Sequence, residues 1–184
     1  MRMQLVAGLA LSAVFVLSGC VAPQSIVMPT SAQTSTPVFA SDEEALAAAT
    51  AAYTEYLRVE DLIAQDGGAT PERMKDLVTP EWLNHETATF GDFAKTGHKQ
   101  VGSSVLKNFT LQSYEDSGKA GGQISAYVCV DFSGTSFVDA GGADVTPAGR
   151  PTNGSLEVVL STGTSRPATF RISGSEQWPG PSVC

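Results

Sequence analysis

The chain has 184 residues, room for one ordinary domain with attachments. Nineteen acids against eleven bases leave a formal charge of −8, which argues against nucleic acid, whose partners need a basic face to displace counterions from phosphate. The charged fraction, 16%, is low, and Ala, Gly, Ser, Thr and Val fill the space, so the acidity reads first as solubility.

The N-terminus has three regions. Met1 to Gln4 carries one positive charge, Arg2, and Leu5 to Leu17 is an apolar run too short for a hydrocarbon core that needs ~20 helical residues. Ser18 and Gly19 are the small residues a signal peptidase accepts before its cut, and Cys20 follows. The tetrapeptide Leu17-Ser18-Gly19-Cys20 resembles the lipobox of bacterial lipoproteins. The resemblance implies residues 1–19 as a cleaved signal peptide, a diacylglyceryl group on Cys20, and attachment to the extracytoplasmic face of a cell membrane. Two acyl chains hold firmly where one is marginal. Residues 20–40 are then a tether. Positions 21–40 carry no charge, three prolines and many Ser, Thr and Gln, which predicts disorder and a reach of roughly 25 Å.

Residues 41–184 make the predicted domain. Ser41 with Glu44 has capping-box spacing, and Asp42, Glu43 and Glu44 load the positive end of a helix dipole. Leu46, Ala49, Tyr53, Leu57 and Ile63 or Ala64 recur at helical intervals, and Gly67-Gly68 ends the run. Glu60 falls within this apolar stripe. Thr70-Pro71-Glu72 and Thr79-Pro80-Glu81 are two more starts, predicting a short helix over 71–78 and a longer one from Pro80 to a stop at Gly97. Trp82, Leu83, Phe90 and Phe93 give the longer one its apolar side.

From Val101 the period changes to two. Val105, Phe109 and Leu111 alternate with Leu106, Thr110 and Tyr114. Ile124, Ala126, Val128, Val130 and Phe132 form one face of the next strand, with Tyr127, Cys129 and Asp131 on the other. Two further strands bring Leu156, Val158 and Leu160, then Phe170 and Ile172, inward. Gly118, Gly121-Gly122 and Thr162-Gly163 mark turns, and residues 139–154 form a long polar loop with a brief edge strand near Val145.

Three helices followed by four to five mostly antiparallel strands predict an α+β fold, a long helix burying its stripe on one face of a curved sheet. On Ser41 to Ala45, Tyr53, Tyr56-Leu57, Tyr127 to Asp131 and Trp178 to Cys184, the domain resembles the nuclear transport factor 2-like superfamily, in the version carried by small lipoproteins of high-GC Gram-positive bacteria. The resemblance implies a cone-shaped α+β fold, a possible homodimer through the outer sheet face, and either an enzyme or a silent binding module. Such a fold does not choose between the two.

With Cys20 assigned to lipid, Cys129 and Cys184 remain. An even pair in an exported protein reads as a disulfide, which would constrain the unfolded chain by about 4 kcal/mol and pin the tail "WPGPSVC" to a strand. Two free thiols or a catalytic Cys129 are the alternatives, and the latter lacks a base in sequence reach.

Catalytic motifs are scarce. "HETAT" begins like a zinc-protease helix, but Thr89 stands where the second histidine belongs. Ser104 to Lys107 and Lys95-Thr96-Gly97 match two penicillin-recognition motifs in reversed order and in the wrong elements. No metal site and no cofactor is expected. The interior of a cone would instead gather Tyr53, Tyr56, Glu60, Trp82 and Tyr127 as pocket candidates, with Glu60 and His85 as the candidate acid and base of a small hydrolase, isomerase or dehydratase. The leading expectation is a lipid-anchored envelope protein that binds a small apolar ligand or another envelope protein without catalysis. A purely structural module is the third.

Overall fold

The computed structural model describes residues 37–118, 121–163 and 168–184, so the leader, Cys20 and the tether up to residue 36 lie outside the described residues. Two α-helices, α1 (Asp42–Gln65) and α2 (Pro80–Lys95), are joined by a single 3₁₀ turn, Pro71–Met74. Six strands follow: β1 (Lys99–Val101), β2 (Val105–Asp116), β3 (Gly122–Asp131), β4 (Ser136–Val138), β5 (Asn153–Thr162) and β6 (Phe170–Gln177). The expected α+β class is observed, with two α-helices rather than three.

The caps explain where the helices begin. Ser41 Oγ accepts from Glu44 N–H at 3.2 Å, and Glu44 Oε2 accepts from Ala40 N–H at 2.8 Å, close to a capping box. Thr79 Oγ1 likewise accepts from Trp82 N–H. Thr70 does not cap: it adopts φ 56° and donates its hydroxyl to Ala69 O, and the expected short helix stops at Met74. Beyond it the chain extends along β6, where Thr79 N–H donates to Ile172 O and Ile172 N–H to Leu77 O. Competition from this sheet edge unwinds what the local pattern would have continued.

The four-stranded sheet runs β2-β3-β5-β6, antiparallel throughout, and β1 pairs with β4 in a separate ribbon. The ribbon was not expected, and the edge strand expected near Val145 is reduced to one antiparallel bridge, Asp144 opposite Val138, with Val145 N–H donating to Phe137 O. The inward face of β3 is as its alternation predicts: Ile124, Ala126, Val128 and Val130 are fully buried. Val158, Leu160, Phe170 and Ile172 extend that face, and α1 lays Ala45, Ala49, Tyr53, Tyr56 and Ile63 into the same core.

β2 departs from strict alternation. Irregularities between Leu106 and Asn108 and between Leu111 and Ser113 each shift the phase. Leu106, Phe109, Leu111 and Tyr114 therefore all pack on the core, while Val105 is half exposed. The folded part also begins earlier than Ser41. Val38 N–H donates to Asp116 Oδ2, and Phe39 stacks on Phe170 (centroids 5.1 Å) and meets Tyr114 edge-on (6.2 Å), bridging the two edge strands.

Candidate functional site

On α1, Tyr53, Tyr56, Leu57 and Glu60 occupy one face at helical spacing. Tyr56 donates its hydroxyl to Glu86 Oε1 at 2.6 Å inside the protein. Glu86 is buried on α2, one turn after Trp82 and one before buried Phe90. The Tyr53 ring lies 5.6 Å from that of Tyr56 and 6.0 Å from that of Phe109, with the Ser175 hydroxyl of β6 at its own hydroxyl.

Electrostatics set the protonation of this cluster. Glu60 is pushed up to about 8 by burial first, then by the like charges of Glu86 and Asp61. It is half-buried, and none of the ion pairs among the described residues involves it or Glu86. Glu60 therefore carries its proton at neutral pH. Burial and the two glutamates raise Tyr56 as well, and burial raises Tyr53, so both phenols keep their hydroxyl protons. Trp82 Nε1 is buried with no hydrogen-bond partner among the described residues. Chemically the cluster offers one labile proton on Glu60, with the Glu86 side chain held by Tyr56.

His85 does not join it. The imidazole is exposed and stacks on Trp82, centroids 4.4 Å apart, while the ionisable groups acting on Glu60 are Glu86 and Asp61. Tyr127 is separated too: it lies on the other face of β3 and packs against Trp178 at 4.2 Å. Of the pocket candidates, Tyr53, Tyr56 and Glu60 come together, and Trp82 shares the helix face of Glu86. Glu86 was missed, although it interrupts an apolar stripe on α2 as Glu60 does on α1.

Asp61 has no counterpart in the sequence pattern. It is 5% exposed, and its carboxylate accepts from Gln100 Nε2 (2.6 Å), Ser104 N–H (2.8 Å) and Ser104 Oγ (2.8 Å). Gln65 Nε2 adds a bond to Gly102 O. Together they fasten the β1–β2 turn to the end of α1, and no local signal announces partners so far along the chain.

Cys129 and Cys184 form a disulfide with Cα atoms 5.0 Å apart. Cys129 points to the outer face of β3 yet is 3% exposed, because the C-terminal tail covers it. The tail is held by the Trp178–Tyr127 contact, by Trp178 Nε1–H donating to Pro181 O, and by Val183 N–H donating to Ser155 Oγ. No group of three or more metal-ligating side chains occurs among the described residues.

Fold and site together define a small α+β protein, one long helix and one short helix on an antiparallel sheet, with a half-buried glutamate on the long helix and a buried one on the short helix. No protein-family model and no curated protein matches the chain. Among solved structures it is similar to the crystal structure of the intermembrane space region of chloroplast protein ARC6, with a TM-score of 0.51 over 72% of this chain and 95% of that one. The two sequences are 11% identical, so the likeness is one of fold alone.

Proposed function

We propose that the protein is a lipid-anchored extracytoplasmic lipoprotein whose domain, of the nuclear transport factor 2-like kind, works as a non-catalytic binding module for a ligand or an envelope protein. The observation that carries this reading is the Cys129–Cys184 disulfide, which belongs to an oxidising compartment and agrees with the lipobox at Cys20. The element order, a long capped helix followed by an antiparallel sheet that it covers, supports the fold kinship. The position of His85, on the surface against Trp82 and not beside Glu60, favours binding over the acid–base enzyme that would have used both.

Mass spectrometry of the native protein tests the address. The expected product begins at Cys20 with a thioether-linked diacylglyceryl group, and Cys20→Ser leaves the chain unlipidated and out of the membrane fraction. An intact leader with an unmodified Cys20, together with alkylatable thiols at 129 and 184 in freshly lysed cells, would refute it.

A further inference from the structure

A cleft of about 520 Å³, within the size range of small-molecule sites, opens at the far end of the sheet from Phe39. Its walls are Phe132, Arg150, Pro151, the start of β5 at Asn153 and Gly154, and Gln177 at the end of β6. The register puts Gly154 opposite Val130 and Gln177 opposite Leu156, so both lie on the sheet face that carries the core. Gly154 has a reason to be glycine: a Cβ there would meet the Phe132 ring at 2.9 Å. Its absence lets the ring lie over β5 as an apolar wall.

Arg150 is held by one nitrogen. Its Nη2 donates to Phe132 O (3.0 Å), Thr135 O (2.9 Å) and Thr135 Oγ1 (2.7 Å), and the guanidinium sits 5.2 Å from the centroid of the Phe137 ring. Nη1 and Nε bond no protein acceptor among the described residues, and the ion pairs there belong to Arg58, Arg73, Lys95 and Lys107. Thus a chain with nineteen acids and eleven bases leaves this half-buried, immobilised guanidinium without a carboxylate, in a cleft that no acidic side chain lines.

We infer that this cleft binds a ligand through a carboxylate that accepts from an unused N–H of the Arg150 guanidinium, with the Asn153 amide and the Gln177 Nε2–H not given to Ser155 O donating beside it and the ligand's apolar body against Phe132 and Pro151. With Nη2 committed to Phe132 and Thr135, the unused Nε–H and Nη1–H lie on different edges of the guanidinium, and each can give one charge-assisted bond to a carboxylate oxygen. One cation, with no second base lining the cleft, suits a single negative charge better than a phosphate dianion. The inference rests on the binding half of the proposed function and is independent of the anchor. A failed titration on a chain whose mass shows the lipid would therefore remove the ligand class and leave the address.

The test is an NMR titration of the isotope-labelled full chain with benzoate against benzamide, and with an N-acetylated dipeptide bearing a free carboxylate against its C-terminal amide. The acid forms are expected to move the Arg150 Nε–H and the Asn153 and Gln177 side-chain amides, with Kd on the order of 1 mM for contacts this few. The amide forms should leave them still. Whichever acid binds more tightly identifies the source, a small molecule or a peptide C-terminus. Arg150→Lys, which keeps the charge but cannot hold its head on Phe132 and Thr135 while offering a second nitrogen to the ligand, should weaken binding about tenfold. Asn153→Ala, at an exposed position, should weaken it by a smaller factor with the fold intact, so the inference stays testable if the arginine variant misfolds. Equal response to acid and amide, no movement of Arg150 Nε–H with either acid up to its solubility limit, or equally tight binding of inorganic phosphate would each overturn it.

Discussion

Asp61 is the residue whose loss the fold should feel most directly among the polar groups. Its three accepted hydrogen bonds come from a side-chain amide, a backbone N–H and a hydroxyl, all from the β1–β2 segment. Asp61→Ala leaves Ser104 N–H without its acceptor and Gln100 with only a long bond to Gly102 O (3.4 Å), in a place that water reaches poorly, and should cost about 2–4 kcal/mol in a denaturant titration. Asp61→Asn, which can still accept on one oxygen, should cost less. Equal loss in the two variants would mean that the charge and not the bonding geometry matters.

Glu60 gives a pH-dependent prediction. Its folded value of about 8 lies above its ordinary 4.5, so the folded chain holds this proton more tightly than the unfolded one. The stability it contributes is complete below pH 4.5 and is lost as pH rises through about 8. Glu60→Gln cannot ionise. Its Tm should exceed the parent's at about pH 9, with the gap closing as pH falls below the ordinary carboxylate range. A Tm difference that does not change with pH would show that Glu60 is not the group that titrates.

At the scale of elements, the disulfide and the N-terminal strap act alike, each closing a segment that local forces would leave loose. Cys129→Ser with Cys184→Ser should lower stability by about 4 kcal/mol on the chain-entropy account. Because Trp178 rests on Tyr127 only while the tail stays in place, its fluorescence should shift to the red in the double variant under native conditions. An unchanged spectrum would mean that the tail holds without the bridge. Phe39→Ala removes one ring from the stack with Phe170 and Tyr114, and should cost about 2 kcal/mol by thermal denaturation. A loss near zero would make residues 37–40 part of the tether after all.

The edges of the sheet are managed differently. Residues 77–79 run along β6 and use its free backbone groups, whereas β2 pairs with no strand on its outer side among the described residues and is interrupted by two irregularities. Such interruptions twist an edge away from further pairing. They also explain why alternation misplaced Phe109 and Leu111 relative to Leu106 and Tyr114.

Over the whole molecule, the chain enters the domain at the Phe39 end of the sheet, and the Arg150 cleft opens at the other, beside the start of β5. The long helix runs between these ends and buries the tyrosines and Glu60 along the way. What could be read from the amino acids alone was whatever a few neighbouring residues decide together. Ser41 with Glu44 and Thr79 with its proline start the helices, and alternation in β3 selects a buried face, because caps and pleats act over three or four residues. The pairing of Cys129 with Cys184 was an expectation that needed the lipobox resemblance to set Cys20 aside first. Only the tertiary structure decided that Glu60 feels the charges of Glu86 and Asp61 while His85 stacks on Trp82 at the surface, that Asp61 answers to Gln100 and Ser104, that Tyr127 faces the tail, and that Arg150 is fixed without an acid among the described residues. Those contacts join residues that the chain brings together only by folding, and their energy depends on distance and burial, which no local pattern carries.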